Sequence, residues 1–247
     1  MVTGDADYRH SALAEAERRH FWFVSRAALL GWAMRRYFPQ TRSILEVGCG
    51  TGGVTGALRH IFPAATIVAG DADPGGLAYA RRNVPRVQLL QIDVCRLPFG
   101  AAFDVAGAFD VIEHLDDDGA ALAEMRSAVK PGGGVLITVP QHPSLWSASD
   151  DFAHHRRRYT RRELRTKIEA AGLRLLRLTS FASIVLPLMA LSRWMPRRRY
   201  DPELELRIGA VANRLLLGLS ALERGVIAAG CSLPAGGSLL AVADRPA

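Results

Sequence analysis

The sequence predicts an α/β protein built on one mostly parallel sheet, and two observations predict it. From residue 43 onward, apolar runs of strand length alternate with segments of helical periodicity, which is typical of parallel strands joined by crossover helices. The chain also has 247 residues, 49% of them hydrophobic, which is enough for one sizeable core without disulfide bonds or a structural metal. We therefore expect a single domain with seven strands and helices on both faces of the sheet.

The predicted elements follow one another along the chain. A helical segment at residues 8–37 precedes the first strand. After the fifth strand, residues 140–159 are predicted to be irregular, and a helix then begins at Thr160, which forms a capping box with Glu163. That helix should end at Gly172. Strands are predicted at residues 43–47, 66–70, 87–91, 103–109, 134–139, 173–179 and 237–243, with further helices beginning near Gly53, Pro74 and Asp117.

Charge and cysteine content exclude several classes of protein. Lysine and arginine together number 31 against 24 acidic residues, and two arginine clusters lie at residues 156–165 and 193–199. No helix-turn-helix or RNA-binding signature accompanies them, so we predict no nucleic-acid partner. The three cysteines are far apart and form no CxxC pair, which argues against a disulfide framework or a zinc site.

Two features of the sequence bear on localisation. The N-terminal residues lack the pattern of a secretory signal. The longest uncharged apolar run, residues 178–192, contains Pro187 and is shorter than the roughly 20 residues of a spanning helix. We therefore expect a cytoplasmic protein, with peripheral membrane contact as an open alternative.

The strongest local signal is ILEVGCGTGG, residues 44–53, in which a strand runs into glycines that open a helix. Glycines let a ligand approach the backbone closely, and a helix N-terminus offers free N–H groups. Gly48, Gly50 and Gly53 also satisfy GxGxxG, the dinucleotide fingerprint, so this segment alone fits two cofactor classes. Asp71, at the end of the second strand, is placed to bind ribose hydroxyls in either class.

Segments later in the chain distinguish between these two cofactor classes. Asp93 follows the third strand, where it is placed to accept a hydrogen bond from an adenine amino group while the backbone of Val94 pairs with a ring nitrogen. FDVAGAFDVIEHLDDD and KPGGGVLITVP then supply the fourth and fifth strands. In this order and spacing the segments resemble class I S-adenosylmethionine-dependent methyltransferases, of the small-molecule type similar to the ubiquinone and menaquinone biosynthesis methyltransferases.

The resemblance implies a Rossmann-like fold, with a seven-stranded, mostly parallel sheet whose last strand is antiparallel, and S-adenosylmethionine as cofactor. It places the family's E-x-G-x-G-x-G loop on Glu46 to Gly52, its EHL segment on Glu113 to Leu115 and its LKPGG turn on Val129 to Gly133. The cofactor-binding residues that it implies are Glu46, Gly48, Cys49, Gly50, Gly52, Asp71, Ala72, Asp93, Val94 and Phe109.

A closer resemblance extends beyond this core, to bacterial methyltransferases that carry HFWF..R, VP...LWS..D...H.RRYT and G-SLL. Here these motifs are His20 to Arg26, Val139 to Thr160 and Gly237 to Leu240. One departure is Ala235-Gly236-Gly237, where an aromatic residue often precedes the last glycine. The acceptors of this group are mostly unassigned, so the resemblance leaves the acceptor open.

The candidate catalytic residues are His114, His155 and Tyr159. His114 follows the carboxyl end of the fourth strand, where ligands bind in open α/β sheets, and its other possible role, which the position favours, is to cap or orient the loop. His155 and Tyr159 lie in the polar loop after the fifth strand. Either histidine is a candidate general base if the acceptor is a hydroxyl or an activated carbon. The neighbouring Asp150, Asp151 and His154 offer metal-ligand atoms, but no further ligand is evident, so no metal is predicted.

The insertion between the sixth and seventh strands distinguishes this chain from the family that it resembles. We divide the domain into a helical cap (residues 1–40), a core (41–180), an insertion (181–232) and the last strand (233–247). Three roles stay open for the insertion: a lid over the acceptor, a membrane surface with arginines at the headgroups, or a homodimer interface. Its predicted amphipathic helix carries Leu204, Ile208, Val211, Leu215, Leu222 and Val226 near one face.

The sequence thus predicts methyl transfer from S-adenosylmethionine to a small, apolar or amphipathic, lipid-like acceptor. One alternative is a nicotinamide-dependent oxidoreductase that uses the same glycines, which leaves Asp93 and the KPGG turn without a role. The other is a catalytically silent protein that binds the cofactor and contacts a membrane or a partner.

Overall fold

The computed structural model describes residues 3–194 and 207–247, and its centre is one seven-stranded sheet. The strands are β1 (Ser43–Val47), β2 (Thr66–Asp71), β3 (Gln88–Gln91), β4 (Phe103–Phe109), β5 (Val129–Pro140), β6 (Arg174–Phe181) and β7 (Ser238–Asp244). Their order is β3-β2-β1-β4-β5-β7-β6. β7 is antiparallel to both of its neighbours, and the other pairs are parallel. The predicted fold class is confirmed.

Helices cover both faces of this sheet. They are α1 (Thr3–Arg19), α2 (Phe21–Tyr37), α3 (Gly53–Ile61), α4 (Pro74–Asn83), α5 (Asp118–Ala128), α6 (Ala148–Phe152), α7 (Arg161–Ala170), α8 (Leu186–Trp194) and α9 (Ala210–Ala228), with 3₁₀ turns at Ile112–His114 and Pro143–Leu145. The helical segment predicted at residues 8–37 is two helices, because the backbone of His20 is extended and its ring accepts a hydrogen bond from the Trp22 N–H as the N-cap of α2.

Alternate residues of the strands feed two buried layers. In β1, Leu45 and Val47 face the layer that contains Met125 of α5, whereas Ile44 faces the layer that contains Met34 of α2. All are almost completely buried. The sheet is therefore covered on both sides, as the long apolar runs of β1, β4 and β5 predict.

The strand order reverses between β1 and β4 at the centre of the sheet. At such a switch point the loops after the two strands diverge and leave a crevice at the carboxyl edge, which is where ligands bind in open α/β sheets. The glycines after β1 and the turn Ile112–His114 after β4 therefore flank one crevice.

β5 begins earlier than predicted, at Val129 instead of residue 134. Val129 pairs with Phe103, and the KPGG residues join the ladder because the Gly132 N–H donates to the carbonyl of Arg245. The turn expected from the sequence is thus an irregular start to the strand, with Gly132 at a φ of +77°.

The insertion contains α8 and α9, and the apolar face predicted for its amphipathic helix is exposed. Val211, Leu215, Leu222 and Val226 of α9 all face outward, whereas Leu204 lies outside the described residues. The opposite face anchors α9 through Glu223, whose carboxylate accepts hydrogen bonds from the backbone N–H groups at residues 182 and 183. Among the helices of the described ranges, none has the length and apolar character needed to cross a membrane.

Candidate cofactor and acceptor site

The loop after β1, residues 48–52, has a backbone that only glycine adopts readily. Gly48 has a φ of +70°, and a Cβ there would lie 2.3 Å from the side chain of Val111. Gly52 has a φ of +91° and is the N-cap of α3. These positive φ values turn the chain sharply from β1 into α3 and bring its backbone to the crevice without an intervening side chain.

Asp71 holds this glycine loop in place. One carboxylate oxygen accepts a hydrogen bond from the Gly50 N–H at 2.7 Å, and the other accepts one from the Asp73 N–H at 2.8 Å. A carboxylate has about four lone-pair sites, so two acceptor positions are left for hydroxyl groups of a ligand. Ala72 follows at the same edge of the sheet, where its carbonyl accepts a hydrogen bond from the Gln91 side chain.

The Asp93 segment lies beside Asp71, because the Ile92 N–H donates to the Asp71 carbonyl. Asp93 is exposed and caps the Cys95 N–H at 2.9 Å, whereas Val94 and Phe109 are buried. Cys49 is buried as well, and this burial raises the pKa of its thiol, which disfavours the nucleophilic thiolate. The sequence-predicted cofactor residues thus lie along the carboxyl ends of neighbouring strands.

Two carboxyl groups lie under the glycine loop, and sequence reasoning identified only Glu46. Glu46 is buried, its Oε2 has no hydrogen-bond partner, and burial raises its pKa to about 8. Glu17 of α1 accepts a hydrogen bond from the Thr51 hydroxyl at 2.6 Å, and burial raises its pKa also. No local pattern marks Glu17, because its partner is in another element. Such carboxyl groups suit a cationic ligand.

Folding stability is expected to fall as the pH rises from about 4.5 to about 8, because of Glu46. Over this range the unfolded chain has released the Glu46 proton that the folded chain retains, so rising pH favours unfolding. Glutamine cannot bind or release a proton, so the Glu46→Gln variant lacks this pH-dependent contribution to stability. The Tm of the variant should therefore change less between about pH 5 and about pH 8 than that of the unmodified chain. Thermal unfolding at both pH values checks this, with the exposed Glu169→Gln as control. An unchanged pH dependence in Glu46→Gln would contradict it.

His114 and His155, the two alternative candidates for a general base, lie side by side. Their ring centroids are 4.7 Å apart. His155 Nδ1 bonds to Asp150 Oδ1 at 2.8 Å, and the Arg156 N–H donates to the Glu113 carbonyl at 2.7 Å. This backbone bond joins the loop after β5 to the turn after β4. The pKa of His114 is lowered by partial desolvation and by the adjacent His155.

Tyr159, the third predicted catalytic residue, belongs to the core, and the expectation that it contacts a ligand is wrong. The side chain is completely buried. Its hydroxyl donates to Asp118 Oδ2 at 2.6 Å and lies 3.2 Å from the carbonyl of Ile112. Burial and Asp118 raise the pKa of Tyr159, so the phenol stays neutral. Tyr159 follows three arginines, and this polar context concealed its burial.

The turn after β4 supplies two carboxyl groups beyond His114. Glu113 is completely buried, and burial raises its pKa well above the usual value. Asp110 has a φ of +58° and accepts hydrogen bonds from the Thr138 hydroxyl and from the guanidinium of Arg26. A strained backbone of this kind is typical of a functional site. Asp110 and Arg26 are 84 residues apart, so no local pattern could have predicted their pairing.

A cavity of about 700 Å³ adjoins this cluster. It has an apolar wall and a charged end. The apolar wall is formed by Leu13, Phe21, Trp22, Phe23, Val185, Leu188, Met189, Ile208 and Leu216. The charged end is formed by Arg26, Asp110, Glu113, His155 and Arg158.

A second cavity, of about 310 Å³, lies against Gly53 and Val54 at the start of α3. Phe23 and Arg26 line both cavities. These two side chains of α2 therefore separate the glycine-loop side of the site from the cavity with the apolar wall.

Comparisons with known proteins agree with this geometry. Residues 44–133 match the family described as "Methyltransferase domain". Malonyl-[acyl-carrier protein] O-methyltransferase of Halalkalibacterium halodurans is 34% identical over 120 residues, which are 46% of this chain and 44% of that protein. The chain spans about half the length of the curated relatives it matches first.

Solved structures show the same fold along most of the chain. A chain solved in complex with the Haloferax volcanii Trm112 methyltransferase activator superposes with a TM-score of 0.65, at 19% identity, over 100% of this chain and 98% of that one. Haemonchus contortus phosphoethanolamine N-methyltransferase 2, solved with S-adenosyl-L-methionine, superposes with a TM-score of 0.58 at 19% identity. The superposition covers 87% of this chain and 51% of that one. The chain is therefore similar to the methyltransferase-domain family over residues 44–133, which include the glycine loop, and it shares its fold with these solved structures.

Proposed function

We propose that this protein transfers a methyl group from S-adenosylmethionine to a small acceptor with an apolar body and one polar end. The observation that carries the proposal is the cavity of about 700 Å³, whose aromatic and aliphatic wall leads to a charged end beside His155. Ligand sites of this kind bury the body of a ligand by the hydrophobic effect and orient it through a few polar groups. The relative named malonyl-[acyl-carrier protein] O-methyltransferase is consistent with methylation of an oxygen atom.

The residues around the glycine loop fit the proposed cofactor. Two acceptor positions are left on Asp71 for the ribose hydroxyls, and Asp93 is exposed for the adenine amino group. The unpartnered buried oxygen of Glu46 is placed to attract a positively charged ligand. A Cβ built on Gly50 meets no atom within 4 Å, which leaves the backbone of this turn open to a bound molecule.

The chain's contribution to catalysis is alignment. Bound S-adenosylmethionine supplies a methyl group that is already activated by its sulfonium. Phe23 and Arg26, which line both cavities, would set the line of approach between donor and acceptor. Positioning of this kind contributes several kcal/mol to rate enhancement. At the charged end, we propose that His114 and His155 contact the reacting group of the acceptor and promote the loss of its proton.

We also propose that the insertion presents the cavity to a membrane surface. Val211, Leu215 and Leu222 of α9 are 73%, 64% and 69% exposed, and Leu188 of α8 both lines the cavity and is 62% exposed. Leu188 therefore extends the apolar wall of the cavity to the surface of the protein. Arg207 and Arg214 are exposed beside this face, as expected for a helix that lies at anionic headgroups.

The test is methyl transfer from S-adenosylmethionine with a labelled methyl group. We expect the label to enter an organic-phase metabolite extract, and the protein to bind S-adenosylmethionine and S-adenosylhomocysteine in preference to NAD. Leu216→Asp, which places a charge in the cavity, should reduce transfer at least tenfold. Label confined to the aqueous extract would refute the apolar acceptor, and NAD binding would refute the proposed reaction.

Leu215→Asp is the matched control, because Leu215 is the adjacent residue of α9 but points outward. Transfer to a dispersed acceptor should be unchanged in this variant. With the same extract presented in anionic vesicles, its transfer and vesicle binding should both fall. If Leu215→Asp instead alters sedimentation of the protein without vesicles, the face mediates self-association and the membrane proposal is wrong.

A further inference from the structure

Glu113 is a buried carboxyl group that the fold does not explain. It is completely buried, and neither of its carboxylate oxygens has a hydrogen-bond partner among the described residues. Buried polar groups in proteins are nearly always hydrogen-bonded, since leaving one unpaired costs about 1–3 kcal/mol or more. An unpaired buried carboxyl group that lines a cavity therefore points to a missing ligand.

Two imidazole rings lie beside this carboxyl group. One ligand atom from each of Glu113, His114 and His155 lies within 4.8 Å of the others. Ligand atoms that share one ion at about 2.0–2.2 Å are at most about 4.4 Å apart. The three atoms are therefore close to the spacing that a single shared ion requires.

A second layer of contacts fixes His155 for this role. Its Nδ1 is bonded to Asp150 at 2.8 Å, which leaves Nε2 with its lone pair available. Asp150 is itself buried and accepts hydrogen bonds from Arg158 Nε at 2.7 Å and the Ser147 N–H at 2.8 Å. A carboxylate that orients a histidine in this way is the usual companion of a metal-bound imidazole.

Two cations lie near Glu113, and each is hydrogen-bonded to another carboxylate, Arg26 to Asp110 and Arg158 to Asp150. The guanidinium of Arg26 is bonded to Asp110, which in turn accepts the Thr138 hydroxyl. The bond from the Arg156 N–H to the Glu113 carbonyl holds the segments that carry the three donors together. Contacts that do not use the three candidate ligand atoms therefore hold these side chains near one another.

We propose that Glu113, His114 and His155 bind a divalent first-row transition-metal ion such as Zn²⁺. Two imidazoles and one carboxylate form a donor set that suits these ions, whereas Mg²⁺ and Ca²⁺ favour oxygen donors alone. Glu113 and His155 both line the cavity of about 700 Å³ that is proposed to bind the acceptor. The coordination positions of the ion that the protein leaves open would therefore face this cavity. On the proposed function, an acceptor oxygen bound there would lose its proton more readily, because a bound cation lowers its pKa.

The test is titration of the full-length protein with Co²⁺, followed by visible absorption spectroscopy, without acceptor or S-adenosylmethionine. We expect one Co²⁺ per chain, displaced by Zn²⁺. Glu113→Gln and His155→Asn should each weaken the affinity at least 100-fold. Asp150→Asn, which removes no donor atom but replaces the carboxylate that positions His155, should weaken the affinity about 10- to 100-fold.

His154→Asn is the matched control, since His154 is adjacent and exposed and asparagine tolerates its φ of +57°. It should bind Co²⁺ like the unmodified chain, and circular dichroism establishes that each variant is folded. The proposal is overturned if no Co²⁺ binds, or if binding survives in both Glu113→Gln and His155→Asn. Because no cofactor or acceptor is present, neither outcome depends on whether the proposed methyl transfer is correct.

Discussion

Asp71→Ala is expected to weaken binding of S-adenosylmethionine about 100-fold or more. The carboxylate restrains the Gly50 N–H and is proposed to accept two ribose hydroxyls as well. Hydrogen bonds to a charged group contribute about 1.5–3 kcal/mol each, so losing two of them removes at least about 3 kcal/mol of binding free energy. Such a loss corresponds to roughly a 100-fold change in Kd.

Calorimetric titration with S-adenosylmethionine and S-adenosylhomocysteine measures this effect. Asp104→Ala is the matched control, because Asp104 also accepts hydrogen bonds from two backbone N–H groups, those of Arg42 and Ser43. Asp104 lies near the start of β4, at the opposite edge of the sheet. Its loss should lower stability without changing Kd. Equal Kd values for Asp71→Ala and the unmodified chain would show that the nucleoside binds elsewhere.

Asp118→Ala is expected to reduce the free energy of unfolding by about 3–5 kcal/mol, which is the usual effect of removing one member of a buried charged network. Asp118 is almost fully buried. Its carboxylate accepts hydrogen bonds from the Tyr159 hydroxyl, from Lys167 Nζ at 2.8 Å and from Arg157 Nη1 at 3.2 Å. Alanine would leave the buried phenol of Tyr159 without this acceptor and two cations without their counter-ion.

Urea denaturation checks this value, with Asp116→Ala as control. Asp116 is 84% exposed and forms an ion pair with Arg156, which is also largely exposed. Exposed pairs contribute little, so this control should change the free energy of unfolding by less than about 0.5 kcal/mol. If the two variants unfold at the same urea concentration, the Asp118 network does not stabilise the fold.

Elements whose determinants are local could be predicted from the sequence. β1 and β4 lie at the predicted residues, because their apolar runs are continuous and flanked by turn residues. α3 and α4 begin at Gly53 and Pro74 as expected, since a glycine turn and an Asp73 cap precede them. The helix after Thr160 is capped as predicted by the hydrogen bond from the Glu163 N–H to the Thr160 hydroxyl.

Features that depend on contacts between distant segments could not be predicted. The bond from Thr51 to Glu17 and the proximity of Glu113 to His155 each join different elements. The burial of Tyr159 could likewise not be predicted, because Asp118, the acceptor of its hydroxyl, lies in a different element, α5. Asp118 lies in the first turn of the helix predicted to begin near Asp117, and no local pattern indicates that it also accepts hydrogen bonds from donors in distant segments.

The position of β7 constrains the order in which the sheet can form. Although β7 is the last of the described strands in sequence order, it lies between β5 and β6, and within the described residues β6 pairs with no strand except β7. Residues 174–181 therefore cannot join the sheet until residues 238–244 have been synthesised and docked. Until then the apolar edge of β5 is open to other strands, which favours aggregation. Completion of this edge should be a late, slow event in folding, since it requires pairing between segments that are far apart in sequence.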